Sequence, residues 1–425
     1  MRPFVMQVFV AAVAFCGSAW AFGHPERTAS VMQAAGELSP SMLGGNGHLR
    51  SRLGHNKRRT LKALFPYYHT SDELHQEATQ LVKKCNNKAS IRTVQEGGVA
   101  IDVINVKAQQ AVPVTNKIFL LFGEHSRELI SPESGLHFLK ILCGNTPVPS
   151  GAPDLADIFR HAEFALVLNG NPRSRRKVEQ GDWCLRANPN GVDLNRNWDI
   201  AWSGSGSSSQ QTYAGSKPFS EPETQIMKNL LMEFMPTTFL CVHSGTLGMY
   251  MPWAYDSKHL AHRNQQEMMN LLKDIDSVHC HCPYGAAGKE VGYDCPGTSV
   301  DWAFSNTNTS FAFAWEIYVG DGEAELRRRW QEKLQGRGHA LLEAGAPLAH
   351  EHFHDVFQQH PSDFLHDKAL LETESAHTDW CLSHFNPISQ EKYETEVENW
   401  SVAYLKMAAR TTSLSMSSPQ LPNNP

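Results

Sequence analysis

The chain has 425 residues, room for one large α/β domain, and its 38 Lys and Arg against 44 Asp and Glu leave a formal net charge of -6. A mildly negative chain with no basic stripe through its body offers nothing to a phosphate backbone, so nucleic-acid binding is not expected. Hydrophobic residues make up 41%, enough for a sizeable core, and past the N-terminus no run of about 18 apolar residues exists to span a bilayer.

Taken in order, Arg2, the apolar residues 5–16 and the small-x-small triplet Ala19-Trp20-Ala21 read as a secretory signal peptide over residues 1–21, cleaved after Ala21. The expected location is therefore extracellular or in the lumen of the secretory pathway. Residues 22–65 are rich in Gly, Ser, His and Arg and contain Lys57-Arg58-Arg59. They are expected to form a short leader, with the basic run as a candidate cleavage point. The globular part, residues 66–410, opens with Thr70-Ser71-Asp72-Glu73, a capping-box pattern that starts a helix to about residue 86.

Strands are expected at residues 91–95, 100–106, 117–122, 162–168, 237–242 and 310–318, the last with alternation. Helices are expected at 132–143, from the second capping box at Ser220-Glu221-Pro222-Glu223 to about residue 234, at 257–278, and at 388–409, where Tyr393, Val397, Trp400 and Tyr404 recur at helical spacing. Strands alternating with helices imply an α/β fold with a mixed, mostly parallel sheet covered on both faces. Residues 321–380 form a polar insertion opening with an expected helix at 323–344. It carries His350, His352, His354, His360 and His366, a composition suited to a solvated, mobile loop more than to a second metal site. Residues 411–425 are expected to be a disordered tail.

Without Cys16 eight cysteines remain, Cys85, Cys143, Cys184, Cys241, Cys280, Cys282, Cys295 and Cys381. An even count in a secreted chain points to disulfides, but not to their pairing. Cys280 and Cys282 have no second Cys-x-Cys to complete a zinc site, so a disulfide is expected there too. Asn308-Thr309-Ser310 and Asn399-Trp400-Ser401 are glycosylation triplets.

Chemistry gathers at four strand ends. The apolar run Ile118-Phe119-Leu120-Leu121-Phe122 leaves through Gly123 into His125-Ser126-Arg127-Glu128, the only His-x-x-Glu among the chain's 21 histidines. An imidazole and a carboxylate three residues apart can close on one zinc ion, which needs three protein ligands and one open position for catalysis. Chance also produces such a turn. The other ends supply Asn169-Gly170-Asn171 with a basic loop running to Asp193-Leu194-Asn195-Arg196-Asn197-Trp198, then His243-Ser244, and then Glu316. Open α/β sheets bind ligands at the carboxyl ends of their strands, so these clusters are expected to converge.

From about Tyr68 to about Ala409 the chain resembles the zinc carboxypeptidases of the carboxypeptidase A/B, or funnelin, type. The resemblance rests on Tyr68-His69-Thr70, His125-Ser126-Arg127-Glu128, the block Gly191 to Trp198, His243-Ser244, Tyr293 eight residues before Asp301-Trp302, and Glu316 in Phe313-Ala314-Trp315-Glu316-Ile317. It implies one zinc ion held by His125, Glu128 and His243. Asn195 and Arg196 would grip the substrate's terminal carboxylate, and Asp193 would orient a zinc histidine. Tyr293 would cap the substrate, and Glu316 would be the catalytic acid–base. Arg186 would polarise the scissile carbonyl, with Arg173, Arg175 and Arg176 as rivals for that role. Val300 would floor the specificity pocket and favour apolar C-terminal residues.

The implied activity is that of a zinc-dependent metallocarboxypeptidase acting on the C-termini of peptides or proteins, and a monomer is expected. The alternatives are a catalytically silent peptide-binding relative and a hydrolase of acidic-residue or cell-wall-peptide specificity. Three departures stand out. The leader is too short for the large pro-domain of the digestive members, the segment after Ser244 differs from theirs, and the insertion at 321–380 is extra.

Overall fold

The computed structural model describes residues 60–108, 112–204, 211–320 and 374–417, with backbone only over 374–379. Eight strands form one sheet: β1 (Ala89–Glu96), β2 (Val99–Val106), β3 (Asn116–Phe122), β4 (Ala162–Val167), β5 (Thr238–His243), β6 (Thr246–Met251), β7 (Tyr284–Ala286) and β8 (Phe311–Tyr318). Their spatial order is β1-β2-β4-β3-β5-β8-β6-β7. The middle four, β4, β3, β5 and β8, run parallel, and antiparallel pairings join β1 to β2, β2 to β4, and β6 to β8. From β3 the chain goes first to β4 on one side and later to β5 on the other. The order reverses there, the point at which open α/β sheets place a ligand crevice, at the carboxyl ends of β3 and β5.

Helices cover both faces because the central strands are apolar on both. Phe122 packs edge-on to Tyr404 of helix Gln390–Ser417, while Phe119, an odd number of residues away and so on the opposite face, meets Phe234 of helix Pro222–Phe234. Trp315 of β8 stacks on Tyr404 and lies against Trp400. Helix Ile130–Leu142 lies close to the sheet because Gly135 has no Cβ. A Cβ there would stand 2.8 Å from the Phe122 ring.

The elements follow from the sequence with several corrections. Thr70 and Glu73 close the expected capping box on helix Ser71–Lys84. The second box does not form. Helix Pro222–Phe234 has Glu221 at its N-cap, and Glu223 is buried on Arg173 and Asn188 instead of capping. The helix expected at 257–278 is Gln265–Ile275 followed by the wide turn Asp276–Cys280, since Asn264 takes a left-handed conformation (φ 52°) that an α-helix cannot include. β8 is buried along its whole length with no polar face, as befits a strand with neighbours on both edges.

The folded body extends past its expected bounds at both ends. Leu61–Leu64 is a helical turn with Leu61 fully buried and its N–H bonded to the Glu179 carbonyl at 2.8 Å, so residues 60–65 belong to the folded body and not to the leader. The last helix continues to Ser417. Thr411 and Thr412, expected in a disordered tail, are buried and accept hydrogen bonds from Asn116 Nδ2 at 2.9 and 3.1 Å. Helix Glu374–Phe385 crosses the end assigned to the insertion. The signal peptide, the leader up to residue 59, residues 418–425 and the insertion up to residue 373, with its expected helix and the five histidines His350 to His366, lie outside the described residues.

Disulfides join Cys85 to Cys143, Cys184 to Cys381 and, as expected, Cys280 to Cys282. Cys241 is a buried free thiol, against the even count. Asn399 lies within the last helix with its side-chain amide on the His279 carbonyl at 3.0 Å, and Trp400 and Ser401 beside it are buried, so that triplet is not an open glycan acceptor. Among the described residues no helix is long and apolar enough to cross a membrane.

Candidate active site

The exit of β3 builds the first half of the site. Gly123 turns the chain at φ 67°, and the turn His125–Glu128 is fixed from outside: Ser126 Oγ donates to the Leu185 carbonyl at 2.6 Å, and its N–H to that of Arg186 at 3.3 Å. The turn then runs into helix Ile130–Leu142. His243 closes β5, the strand next to β3, and pairs in register with Glu316 on β8. Parallel pairing thus sets His243 and Glu316 side by side at the mouth of the crevice.

His125 Nδ1 lies 2.7 Å from Glu128 Oε1 and 3.1 Å from His243 Nδ1, and His243 Nδ1 lies 3.1 Å from Glu128 Oε2. All three side chains are buried, and their ligand atoms fall within 4.8 Å of one another. Two ring nitrogens and a carboxylate facing one another need positive charge among them. Burial would raise the Glu128 pKa, but His125 and His243 outweigh it and hold this carboxyl well below the usual carboxylate range. Two imidazoles and an ionised carboxylate, with room for a fourth ligand, are a catalytic zinc set, and the cluster is geometrically fit for a single zinc ion. Asp276, Cys280 and Cys282 also lie close together, but the two sulfurs are spent in their disulfide.

Asp193 ties this cluster to its surroundings. Its Oδ1 is 3.1 Å from His125 Nε2 and accepts the Asn195 N–H at 3.0 Å, capping the short helical turn Leu194–Arg196. Its Oδ2 accepts from Arg186 Nε at 3.0 Å and Nη2 at 2.9 Å. Burial opposes its ionisation, but Arg186 and then His125 hold it well below the carboxylate range. Arg186 also places Nη1 3.3 Å from His125 Nδ1. The rival arginines are committed elsewhere: Arg173 to Glu223, Arg175 to the His69 carbonyl, and Arg176 to the exposed Asp72.

Asn195 is fully buried. Its Oδ1 accepts from the Ser299 N–H at 2.9 Å, with Ser299 Oγ 3.2 Å away, while its Nδ2 has no hydrogen-bond partner among the described residues. Arg196 is buried beside it, with Nη1 donating to the Asn195 carbonyl at 2.5 Å. Gly297 makes this approach possible: a Cβ there would stand 2.3 Å from the Arg196 carbonyl oxygen, and φ is +73°. Tyr293 is 36% exposed, at the rim. Burial raises its pKa, and the charges of Arg196 and Arg186 lower it. Val300 is fully buried in helix Ser299–Asn306, within the core.

Glu316 is fully buried, and neither carboxylate oxygen has a hydrogen-bond partner among the described residues. Burial first and the Glu128 charge second push its pKa up to about 8, against His243 and Arg186. Unbonded oxygens and a pKa near neutrality suit a group that takes and gives a proton. The site residues read from the sequence, apart from the core residue Val300, gather around the His125–Glu128–His243 cluster through the contacts described above.

Two neighbours were missed. Glu124 and Ser299 stand behind the cluster, with Ser299 Oγ donating to Glu124 Oε2 at 3.2 Å. A carboxylate at a strand exit reads as a solvated residue, and only its place next to His125 could have drawn attention. Arg127 was quoted only as a letter of the motif. It is held by the Cys184 carbonyl, Gln211 and the face of Phe385, and burial pulls its pKa down to about 9.

Comparison with known proteins gives the same reading. Zinc carboxypeptidase A 1 of Anopheles gambiae is 26% identical over 279 residues, 60% of this chain and 61% of that protein. Carboxypeptidase A1 of Rattus norvegicus is 28% identical over 275 residues, 59% of this chain and 62% of that protein. The chain thus spans about three fifths of the length of these relatives. Among solved structures, thrombin activatable fibrinolysis inhibitor superposes with a TM-score of 0.53 at 20% identity, over 59% of this chain and 66% of the other. The carboxypeptidase A from Helicoverpa armigera does so with a TM-score of 0.51, also at 20% identity, over 59% and 64%. At that identity the likeness is one of fold. The sequence matches the zinc carboxypeptidase family over residues 67–336, well over half its length, and with the cluster at β3 and β5 this establishes that the chain belongs to the zinc carboxypeptidases.

Proposed function

We propose that this chain is a zinc-dependent metallocarboxypeptidase that hydrolyses the C-terminal peptide bond of peptides or proteins, with one zinc ion, acting as a monomer in the secretory lumen or outside the cell. The observation that carries the proposal is the convergence, in one crevice, of His125, Glu128 and His243 with a bond-free Glu316 on one side and the unpaired Asn195 Nδ2 on the other. Metal chemistry and a carboxylate-binding end are then adjacent, which is what an exopeptidase needs.

Zinc bound by the three ligands would supply Lewis acidity, polarising a carbonyl and bringing the pKa of a bound water to about 7. The protein's own residues do the rest. Asn195 Nδ2 and the Arg196 guanidinium receive the terminal carboxylate, a planar fork matching a planar anion. Arg186, held by Asp193, presents Nη1 to the scissile carbonyl and stabilises the charge that grows there, a contribution of roughly 10²–10³-fold for one well-placed donor. Glu316 takes a proton from the attacking water and returns it to the leaving amine. Tyr293 closes over the bound end. An apolar preference rests on the family resemblance at Val300 alone, since Val300 itself is buried in the core.

Peptides ending in Phe, Leu, Lys, Arg and Glu, assayed with and without a chelator, test the reading. Phe and Leu should leave fastest, and the chelator should stop release. Preference for Lys or Arg would refute the apolar preference, preference for Glu would favour an acidic-specific hydrolase, and no release at all would favour a silent relative.

A further inference from the structure

The two candidate zinc histidines are built alike. Each presents Nδ1 to the cluster and Nε2 away from it. Behind His125 stands Asp193, 3.1 Å from Nε2. Behind His243 stands Glu124, with Oε2 3.6 Å from Nε2. Glu124 is 1% exposed, a costly place for a carboxylate. It is held there by Trp198 Nε1, which donates to Oε1 at 3.1 Å, and by Ser299 Oγ, which donates to Oε2 at 3.2 Å. These two donors fix the carboxylate plane. The Cys241 thiol also interacts with the His243 ring, and with Ser299.

Ser299 gives the arrangement a second reach. Its hydroxyl lies within hydrogen-bond distance of both Glu124 Oε2 and Asn195 Oδ1, and its N–H also donates to Asn195 Oδ1. With Oδ1 so occupied, the Asn195 amide cannot flip, and Nδ2 stays turned to the crevice. One chain of contacts, His243–Glu124–Ser299–Asn195, therefore spans from the metal end to the end that would hold the substrate's carboxylate.

We propose that Glu124 is a positioning residue for this site: it orients the His243 ring for zinc as Asp193 orients His125, and through Ser299 it sets Asn195 in register with the metal. The inference rests on the zinc reading above. Carboxylates behind metal histidines fix the ring and raise its basicity, and their loss typically weakens metal binding by about 10–100-fold.

The test is zinc affinity of the full chain, measured by competition with a chromophoric chelator for wild type, Glu124→Gln and Cys241→Ala, together with the ring ¹⁵N resonances of His243. Glu124→Gln should bind zinc about 10–100-fold more weakly, with the His243 Nε2 resonance displaced and the melting of the metal-free protein close to wild type. Cys241→Ala should bind zinc within a few-fold of wild type. Should Glu124→Gln fail to fold, Glu124→Asp, which withdraws the carboxylate by one methylene, carries the same expectation. Wild-type affinity in the Glu124 variant, or a loss confined to Cys241→Ala, would overturn the proposal. A wild-type chain that binds no zinc would instead remove the zinc reading itself, and this proposal with it.

Discussion

Glu316 carries the clearest consequence at the scale of one residue. Its two oxygens are buried, and its charge state is set by burial and the Glu128 charge against His243, Arg186 and the Thr246 backbone. Glu316→Gln keeps shape and volume and removes only the proton traffic. It is expected to retain one equivalent of zinc while kcat falls by at least about 10²–10⁴-fold, and near-normal turnover would sink the assignment. His137 offers a test away from the site. Its Nδ1 lies 2.9 Å from Ser401 Oγ, and burial, helped by Lys140, pulls its pKa from 6.5 down to about 4. A lowered folded-state pKa means stability that is complete above pH 6.5 and is lost as pH falls from 6.5 towards 4. Tm measured from pH 7.5 to 4.5 should therefore fall less steeply in His137→Gln than in wild type. Equal slopes would show that His137 carries no part of the acid sensitivity. The metal pair was legible because His125 and Glu128 sit in one turn. Glu124 was not, because its partners Trp198 and Ser299 are 74 and 175 residues away.

The legibility of the elements tracked how local their causes are. β3, β5 and β8 show as apolar runs, over residues 118–122, 239–242 and 311–315, because these stretches are buried on both faces. β6 is not legible in the sequence because Gly248 breaks Thr246-Leu247-Gly248-Met249, and pairing with β8 and β7 makes it a strand. The last turns of the C-terminal helix read as a Ser/Thr tail for the same reason. Their stability is tertiary, since Thr411 and Thr412 meet the buried Asn116 amide, whose Oδ1 is taken by Thr238 Oγ1 at 2.9 Å. Replacing both threonines by Val keeps the helix and strands a buried donor. The double variant should lose about 1–3 kcal/mol in denaturant unfolding with kcat unchanged, and full stability would show these contacts to be incidental. The disulfide Cys184–Cys381 anchors helix Glu374–Phe385, whose Phe385 carbonyl accepts from Ser244 Oγ at 2.8 Å and whose Phe385 ring lies under the Arg127 guanidinium. This link from beyond the insertion to the site could not be read from cysteine counts.

For the whole molecule, the sheet order makes the function possible. His125 and Glu128 leave β3, His243 ends β5, Glu316 lies on β8, and the Asp193–Arg196 turn comes from the long excursion after β4. Only the order β4-β3-β5-β8 brings them to one crevice. Alternating strands and helices announced a mixed sheet, but pattern alone does not give strand order. The resemblance to zinc carboxypeptidases supplied the convergence that periodicity could not. The central claim is that this crevice joins a metal to a receptor for a free carboxylate. The most direct measurement is mass-spectrometric release of the last residue from a peptide ending in Phe, with the terminus free or amidated, before and after chelation and zinc return. Stepwise loss of single residues from the free terminus, none from the amide, abolished by the chelator and restored by zinc, is the predicted result. Equal cleavage of the amidated peptide, or release indifferent to the chelator, would contradict the account.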